Sequence, residues 1–407
     1  MHRCRRYDRR TAPDAGRCLP DSELESGGLT RPYTSSSTRP APVAIAGMAA
    51  VSAFGRGTGP LLDAALAGRP AFRAVDRFDV SARRVTVAAT LPDSPGLLDE
   101  LIDAVDAACA DADLSAAQRR DAPLLLAVHG DAAIGRAPAA QRSGHSAAAL
   151  AEAIAGKCGL GGSLRAYTSA CVAASTAVAD AAAMVRHGHA RRVVVAAGYL
   201  VEPDQFALFD AGRALATDGA VRPFSAGRTG LLLGDGVGAV VLSAGGDSGV
   251  RCGVAGWART GDGYHVVQPS PDGAGLARAV RTALTRAGVG ADEVGYVNAH
   301  GSGTTASDAA EAAALRRAFG QLAERVPVSS TKSVHGQALE ASSLLELIVT
   351  ALALERGELP VNAGFLGPDE QCPLSLVLAP RRTSVHYGLT LNAAFGGANT
   401  ALLLVAP

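Results

Sequence analysis

Short apolar runs rich in β-branched residues alternate with amphipathic stretches along most of this chain, and the alternation occurs twice. The first series begins at Val43-Ala-Ile-Ala46, and the second begins near residue 250, after the Gly-Gly-Asp-Ser-Gly link at 245–249. Short strands that alternate with helices are typical of an α/β fold with a largely buried sheet. We therefore predict two α/β halves of similar size, although no residue-level repeat relates them.

The same patterns predict individual elements. After the opening run at 43–46, strands are expected at 123–129, 164–167, 193–197, 237–242, 250–257, 294–299, 326–329 and 386–392. Helices are expected at 97–110, 146–157, 172–187, 275–287, 306–319 and 339–355.

Residues 1–42 differ from the rest of the chain, with five arginines in the first ten positions and a later stretch rich in Ser, Thr and Pro. Such a segment buries too little apolar surface to offset the cost of ordering it. We predict a disordered tail at 1–42, an N-terminal half at 43–245 and a C-terminal half at 246–407.

Composition excludes several classes of function. The 38 basic and 38 acidic residues cancel, so nothing favours binding to nucleic acid or to an anionic membrane. The seven cysteines are scattered and never form a CxxC pair, which argues against a disulfide framework and against a metal site. No apolar run is long enough to span a bilayer or to act as a signal peptide. A cytoplasmic protein is expected.

Cys171 lies in a run that predicts a strand at 164–167, a turn of small residues and then an alanine-rich helix. A cysteine in the first turn of a helix is close to the positive end of the helix dipole, which favours the thiolate. Such a residue is placed like a nucleophile. A buried core cysteine is an equally good interpretation of the local sequence.

Three later segments add polar groups at the ends of predicted strands. His300 follows the strand at 294–299, where open α/β sheets place ligand chemistry. Lys332 and Gln337 lie between another strand and the helix at 339–355. The glycine-rich turn that contains Phe395 offers backbone N–H groups that could hold an oxyanion.

Together these segments resemble the β-ketoacyl synthases of the thiolase superfamily, over residues 43 to about 405. The matching motifs are Thr168-Ser-Ala-Cys171, Arg222-Pro-Phe224 with Gly234-Asp-Gly236, Asn298-Ala-His-Gly-Ser-Gly-Thr304 with Asp308, Ser330-Thr-Lys332 with Glu346, and Phe395-Gly-Gly-Ala-Asn399. The resemblance implies a thiolase-like fold, in which two similar αβαβα halves pack as a layered α/β/α/β/α core.

The resemblance also implies roles for single residues. Cys171 would accept the acyl group, and its N–H would form an oxyanion hole with the N–H of Phe395, which would also act as a gate. His300 would hydrogen-bond the carbonyl oxygen of a malonyl thioester, and Lys332 would organise that histidine. The supporting positions implied are Glu346, Asp308 and Thr304.

The family's substrates are carried on the phosphopantetheine arm of an acyl carrier protein, so that protein is the implied partner. No separate cofactor and no metal are implied. The resemblance also implies a dimer, and it leaves open whether the second subunit is identical or is a different ketosynthase-like chain.

Two departures from the family pattern stand out. Gln337 occupies the position of a second active-site histidine, and a glutamine amide can donate a hydrogen bond but cannot hold or transfer a proton. His335 is out of register with that position, so we expect it to have a surface or packing role. Ala393 and Ala394 replace the bulky aromatic residue and the glycine that the family usually has before Phe395, and the loss of a ring should widen or loosen the acyl channel.

Three functions follow as hypotheses. The first is a 3-oxoacyl-[acyl-carrier-protein] synthase-like enzyme, which loads an acyl chain on Cys171 and condenses it with malonyl carrier protein in polyketide or fatty acid biosynthesis. The second is a catalytically degraded chain length factor, the partner of a heterodimeric ketosynthase, favoured by Gln337. The third is an acyltransferase that loads Cys171 without forming a carbon–carbon bond.

Overall fold

A computed structural model describes residues 39–92, 96–129, 146–245 and 252–407. Most of the tail predicted at 1–42 and most of the link at 245–249 lie outside these ranges. The predicted boundary between the halves at residues 245 and 246 therefore stays a prediction.

The described strands are β1 (Val43–Ser52), β2 (Gly55–Arg56), β3 (Arg73–Ala74), β4 (Val87–Ala88), β5 (Leu124–Ala127), β6 (Leu164–Tyr167), β7 (Arg192–Tyr199), β8 (Gly236–Ser243), β9 (Cys252–Gly261), β10 (Val294–Asn298), β11 (Pro327–Ser329), β12 (Glu358–Leu359), β13 (Ser375–Leu376), β14 (Arg381–Arg382), β15 (Tyr387–Ala394) and β16 (Ala398–Val405). The described helices are α1 (Thr58–Ala67), α2 (Leu97–Asp111), α3 (Ala116–Arg120), α4 (Ala147–Cys158), α5 (Ala173–Arg186), α6 (Pro203–Ala211), α7 (Ala274–Ala287), α8 (Thr305–Phe319), α9 (Lys332–His335) and α10 (Ser342–Arg356).

The main sheet repeats one strand order on its two sides. From one edge inward, the order is β6-β5-β7-β8-β1; from the other, after the short edge strand β13, it is β11-β10-β15-β16-β9. In both series the first three strands are parallel and the remaining two join antiparallel. The two series meet where Val43–Ile45 of β1 pairs antiparallel with residues 252–254 of β9. The halves therefore share a topology without sharing a sequence repeat.

Some helices pack between the two sides of the sheet, and others cover its outer faces. α5 and α10 contact each other and pack against strands of both series, whereas α2 and α4 cover one outer face and α7 and α8 the other. Residues 342–354 of α10 are all buried, as expected for a helix enclosed on every side. The predicted layered α/β arrangement is confirmed.

Three differences from the predicted elements have physical causes. β16 was not predicted, although it lies between β9 and β15, because its apolar run directly follows the glycine-rich turn. β6 was predicted as an apolar strand of a buried sheet, but it is exposed because it forms an edge. The predicted start of α10 at residue 339 is a separate 3₁₀ turn, in which Leu339 has a φ of +40°. Among the described helices, none combines the length and the apolar composition needed to cross a membrane.

Candidate active site

Cys171 lies in the 3₁₀ turn Ala170–Val172, between β6 and α5. Ala170, directly before it, has a φ of +50°, in the left-handed region that alanine rarely adopts. Such a conformation costs about 1 to 3 kcal/mol and persists only where surrounding contacts impose it. The Cys171 side chain is buried, and it lines a cavity of about 300 Å³.

Gln337 contacts the thiol directly. Its Nε2 donates a hydrogen bond to Cys171 Sγ over 2.9 Å, and its Oε1 accepts one from the Ser342 hydroxyl over 2.9 Å. The Ser342 oxygen also accepts from the backbone N–H of Ala338 at 2.7 Å, which leaves the serine proton for Gln337. This network fixes the orientation of the amide, with its NH₂ group toward the sulfur.

The backbone of Gln337 is held by the segment that precedes β8. Its N–H donates to Leu232 O at 2.8 Å, and its carbonyl accepts from Gly234 N at 3.0 Å. A Cβ atom at Gly234 would lie 2.0 Å from the carbonyl oxygen of His335, so that only glycine permits this approach. The motif 234–236 therefore positions Gln337.

His300 follows β10 and is buried at the cavity wall. Glu311 on α8 accepts hydrogen bonds from the backbone N–H groups of His300 and Gly301, both at 2.7 Å. Burial, and then the Lys332 charge, lower the pKa of His300 well below its ordinary value, so the imidazole is neutral. Its Nδ1 has no hydrogen-bond partner among the described residues.

Lys332 and Glu346 form an ion pair behind His300, with both side chains almost fully buried. The Lys332 ammonium also donates to the backbone carbonyl of His300 at 2.8 Å. Asn392 on β15 donates to the second Glu346 oxygen at 2.6 Å. The lysine therefore contacts the histidine through its backbone, and one buried network connects β10, α10 and β15.

Thr304 lies in the loop that follows His300, and Asp308 lies in the first turn of α8. Asp308 accepts from the backbone N–H groups of Phe224 at 2.8 Å and Gly303 at 3.1 Å, which ties the turn at 222–224 to this loop. Burial raises the pKa of Asp308 to about 6. Thr304 lines the cavity, and its hydroxyl lies 2.9 Å from that of Ser302.

Phe395 stands at the rim of the cavity and is 54% exposed. Its ring stacks on that of Phe209, with 6.0 Å between the ring centroids. Ala393 and Ala394, directly before it, also line the cavity. The cavity thus brings together Cys171, His300, Thr304, Gln337 and Phe395, whereas Lys332, Glu346 and Asp308 support it from behind.

Burial opposes the thiolate that the helix dipole favours at Cys171. Burial, followed by the negative charge of Glu340, raises the pKa of the thiol to about 12, and the opposing effect of Lys332 is smaller. The desolvation of the sulfur outweighs the helix dipole, which acts only weakly ahead of the first turn of α5. The resting residue is a neutral thiol.

His335 is fully buried, so the packing role expected for it holds and the surface role does not. Its Nε2 lies 3.1 Å from Thr331 Oγ1, and burial lowers its pKa to about 3. It is not among the described residues that line the cavity.

Some residues of the site were not predicted as functional. Glu340 and His129 line the cavity, and their side chains approach to 3.4 Å. Ser342, Glu311 and Asn392 hold the groups described above. Glu311 had a signal in the sequence, its place on the helix after His300, and Ser342 lies only five residues after Gln337. Asn392 and the pair of Glu340 and His129 depend on contacts between segments far apart in the chain. Within the described residues, no cluster of three or more His, Cys, Asp or Glu side chains could hold a metal ion.

Comparison with protein families gives two matches. The family model described as "Beta-ketoacyl synthase, N-terminal domain" matches residues 129–247, and "Beta-ketoacyl synthase, C-terminal domain" matches residues 251–366. The two models together cover more than half of the chain and include Cys171, His300, Thr304 and Gln337, whereas Phe395 lies beyond the second match.

Among curated proteins, the chain is 38% identical to "Nodulation protein E" of Rhizobium leguminosarum bv. trifolii over 252 residues, which is 60% of this chain and 62% of the relative. It is 34% identical to "3-oxoacyl-[acyl-carrier-protein] synthase 2" of Synechocystis sp. over 247 residues, which is 58% of this chain and 59% of the relative. The matches therefore span less than two thirds of these relatives' lengths.

Among solved structures, the fold is similar to "The ishigamide ketosynthase/chain length factor", with a TM-score of 0.82 and 26% sequence identity. The match covers 91% of this chain and all of that one. This likeness extends over both halves of the sheet, and it agrees with the thiolase-like fold expected from the sequence.

Proposed function

Because the chain belongs to the β-ketoacyl synthase family, we propose that it is a carrier-protein-dependent condensing enzyme of polyketide or fatty acid biosynthesis. The observation that carries the proposal is the meeting of Cys171, His300 and Gln337 in one cavity, with Gln337 on the sulfur. The partner proposed is an acyl carrier protein, as named for the Synechocystis relative. Its phosphopantetheine arm supplies the thioester, and no other cofactor takes part.

In the first half-reaction, the Cys171 sulfur attacks the thioester carbonyl of an acyl carrier protein. The carbon–sulfur bond to pantetheine breaks, and the proton of the Cys171 thiol ends on the departing pantetheine sulfur. The N–H groups of Cys171 and Phe395 would hold the oxyanion of the intermediate. Since the thiol has a pKa of about 12, it must lose its proton during the attack rather than before it.

In the second half-reaction, malonyl carrier protein loses carbon dioxide, and the enolate attacks the acyl carbonyl on Cys171. The carbon–sulfur bond breaks, and the thiolate recovers a proton. Neutral His300 and the Gln337 amide would each donate a hydrogen bond to the malonyl thioester oxygen as negative charge develops there. Neither role requires a group that titrates near neutral pH.

The test is incubation with an acyl carrier protein bearing an acyl chain and with malonyl carrier protein, followed by mass spectrometry of the carrier-bound products. A chain extended by two carbons with a β-keto group is expected, and Cys171→Ala should abolish it. Absence of the product, both alone and with a partner ketosynthase, would overturn the proposal. An acyl chain that loads Cys171 and leaves without malonyl consumption would indicate an acyltransferase instead.

A second candidate is the chain length factor of a heterodimeric ketosynthase. It is favoured by Gln337, which cannot take a proton from the thiol, and by the likeness to a structure that contains such a partner. Both candidates imply a dimer. Cys171→Ala in a reconstituted pair separates them: retained product formation supports the partner role, and lost product formation supports the condensing role.

A further inference from the structure

Glu340 is unusual among the described residues that line the cavity, because no other carries an acidic side chain. It is only 2% exposed. Its Oε1 lies 3.4 Å from His129 Nδ1, but its Oε2 is buried without a hydrogen-bond partner among the described residues. A buried carboxylate oxygen without a donor is costly, so this atom needs a partner that the described residues do not supply.

The imidazole of His129 does not meet that need. It approaches the other carboxylate oxygen, and its side chain is 61% exposed, so that it shares its hydrogen bonds with solvent. On its far side, His129 Nε2 lies 3.3 Å from Gln205 Nε2. The contact orients Glu340 and leaves Oε2 free.

Glu340 is also close to the reacting thiol. It follows Gln337 by three residues, in the 3₁₀ turn Leu339–Ala341, and Gln337 touches the sulfur. Among the neighbouring charges, that of Glu340 raises the pKa of Cys171 most, and only burial has a larger effect. Much of the remaining wall of the cavity is apolar and includes Leu208, Phe209, Ala214, Leu231 and Leu339.

We propose that Glu340 selects acyl chains that carry a hydroxyl group near the thioester over saturated chains of the same length. The inference rests on the proposed function, since the chain must enter this cavity when it is attached to Cys171. A hydroxyl group that enters the cavity beside Glu340 donates to its carboxylate and supplies the missing donor. A saturated chain displaces water from the cavity and leaves the carboxylate oxygen without a donor.

The expected preference follows from the usual strength of a hydrogen bond to a charged acceptor. Such a bond corresponds to a roughly 10- to 100-fold difference in loading rate between matched chains. The preference should depend on where the hydroxyl sits, because Oε2 is fixed by the short turn that carries Glu340.

The test is competitive loading of Cys171 from pairs of pantetheine thioesters of equal chain length, one saturated and one with a hydroxyl group moved one carbon at a time. Intact-protein mass spectrometry measures how much of each chain is bound. The native protein should favour one hydroxylated chain by at least about tenfold. Glu340→Leu should remove or reverse that preference, and Glu340→Gln, which keeps the side-chain volume, should weaken it.

Glu202→Gln is the matched control. Glu202 caps α6 and also acts on the charge of His129, but it is not among the residues that line the cavity, so its loss of charge should leave the preference unchanged. The thermal unfolding midpoint of each variant shows whether it is folded.

Equal loading of both chains by the native protein would overturn the inference and leave the proposed function standing. An unchanged preference in both Glu340 variants would overturn it as well. Loading of neither chain would instead count against the proposed function, because that outcome concerns the thiol and not the selection.

Discussion

The side-chain amide of Gln337 and the thiol of Cys171 are in direct contact, with 2.9 Å between nitrogen and sulfur. The amide cannot accept the thiol proton, and burial lowers the pKa of His300 well below its ordinary value, which makes that imidazole a weak base. The sulfur is therefore held in position without a base bound to it. Deprotonation of the thiol then depends on a group that the substrate supplies.

Replacing Gln337 with histidine should activate the thiol. An imidazole in contact with the sulfur can take its proton, and general bases of this kind typically contribute about 100- to 10,000-fold. We expect Gln337→His to raise the rate of Cys171 alkylation by iodoacetamide at neutral pH by at least about tenfold. Gln337→Ala, which removes the contact and adds no base, should show no such rise; a rise of equal size in both variants would mean that steric access limits the rate.

The pH dependence of alkylation tests the protonation state of Cys171. Because its pKa is raised to about 12, the thiolate fraction, and with it the rate, should climb about tenfold per pH unit from about pH 7 to 10 without levelling off. A model peptide levels off above about pH 8.5. Peptide mass spectrometry assigns the modification to Cys171, and a plateau below about pH 9 would refute the buried neutral thiol.

The same shift has a consequence for stability. The native thiol keeps its proton at pH values where the unfolded chain has lost it, so the native state binds more protons. The stabilising contribution is fully present below the ordinary pKa of 9.0 and is lost as the pH rises from there toward about 12. Cys171→Ser should therefore show a smaller fall in the urea unfolding midpoint over this alkaline range than the native protein.

The ion pair between Lys332 and Glu346 should be far more sensitive to truncation than pairs at the surface. Lys332→Met leaves a buried carboxylate unpaired, which we expect to lower the free energy of unfolding by about 3 to 5 kcal/mol in urea titrations. Arg356→Ala, which removes surface pairs with Asp63 and Glu358, should cost no more than about 1 kcal/mol. Similar losses in the two variants would contradict the buried network.

Gly234 should tolerate no side chain. In Gly234→Ala the new Cβ meets the backbone of His335, and because Gly234 also binds Gln337, we expect a loss of about 3 kcal/mol or more together with a weakened contact to Cys171. Gly156→Ala, on the exposed face of α4 with open space around it, should instead stabilise by about 0.5 to 1 kcal/mol. The free energies of unfolding of the two variants, measured by urea titration, test both expectations.

The long elements of the fold could be predicted from periodicity alone. The apolar runs that became β5, β7 and β10 and the amphipathic stretches that became α2 and α7 are local signals, and the structure has them within a few residues. α1 and α6 were missed because they are short and flanked by glycine or proline. β16 was missed because its pairing with β9 depends on a partner far away in the chain.

In the site, too, local signals could be predicted and long-range contacts could not. The positions of Cys171, His300, Lys332 and Phe395 could be predicted because each lies in a motif of a few adjacent residues. The state of the thiol could not, because desolvation depends on packing from every side. Glu340 and His129 are separated by the whole predicted helix and strand series around Cys171, so no local pattern could bring them together.

The thiol and its partners come from opposite sides of the pairing between β1 and β9, which joins only three residues of each strand. Cys171 belongs to the first series, whereas His300, Gln337 and Phe395 belong to the second. During synthesis, Cys171 is made before His300, Gln337 and Phe395, so the thiol is present for a time without the groups that would handle a substrate with it. β16 lies beside β9 and follows the other described strands along the chain, so the sheet closes only after translation passes residue 405. A nascent chain therefore lacks the groups that would handle a substrate with Cys171 until Phe395 has been added.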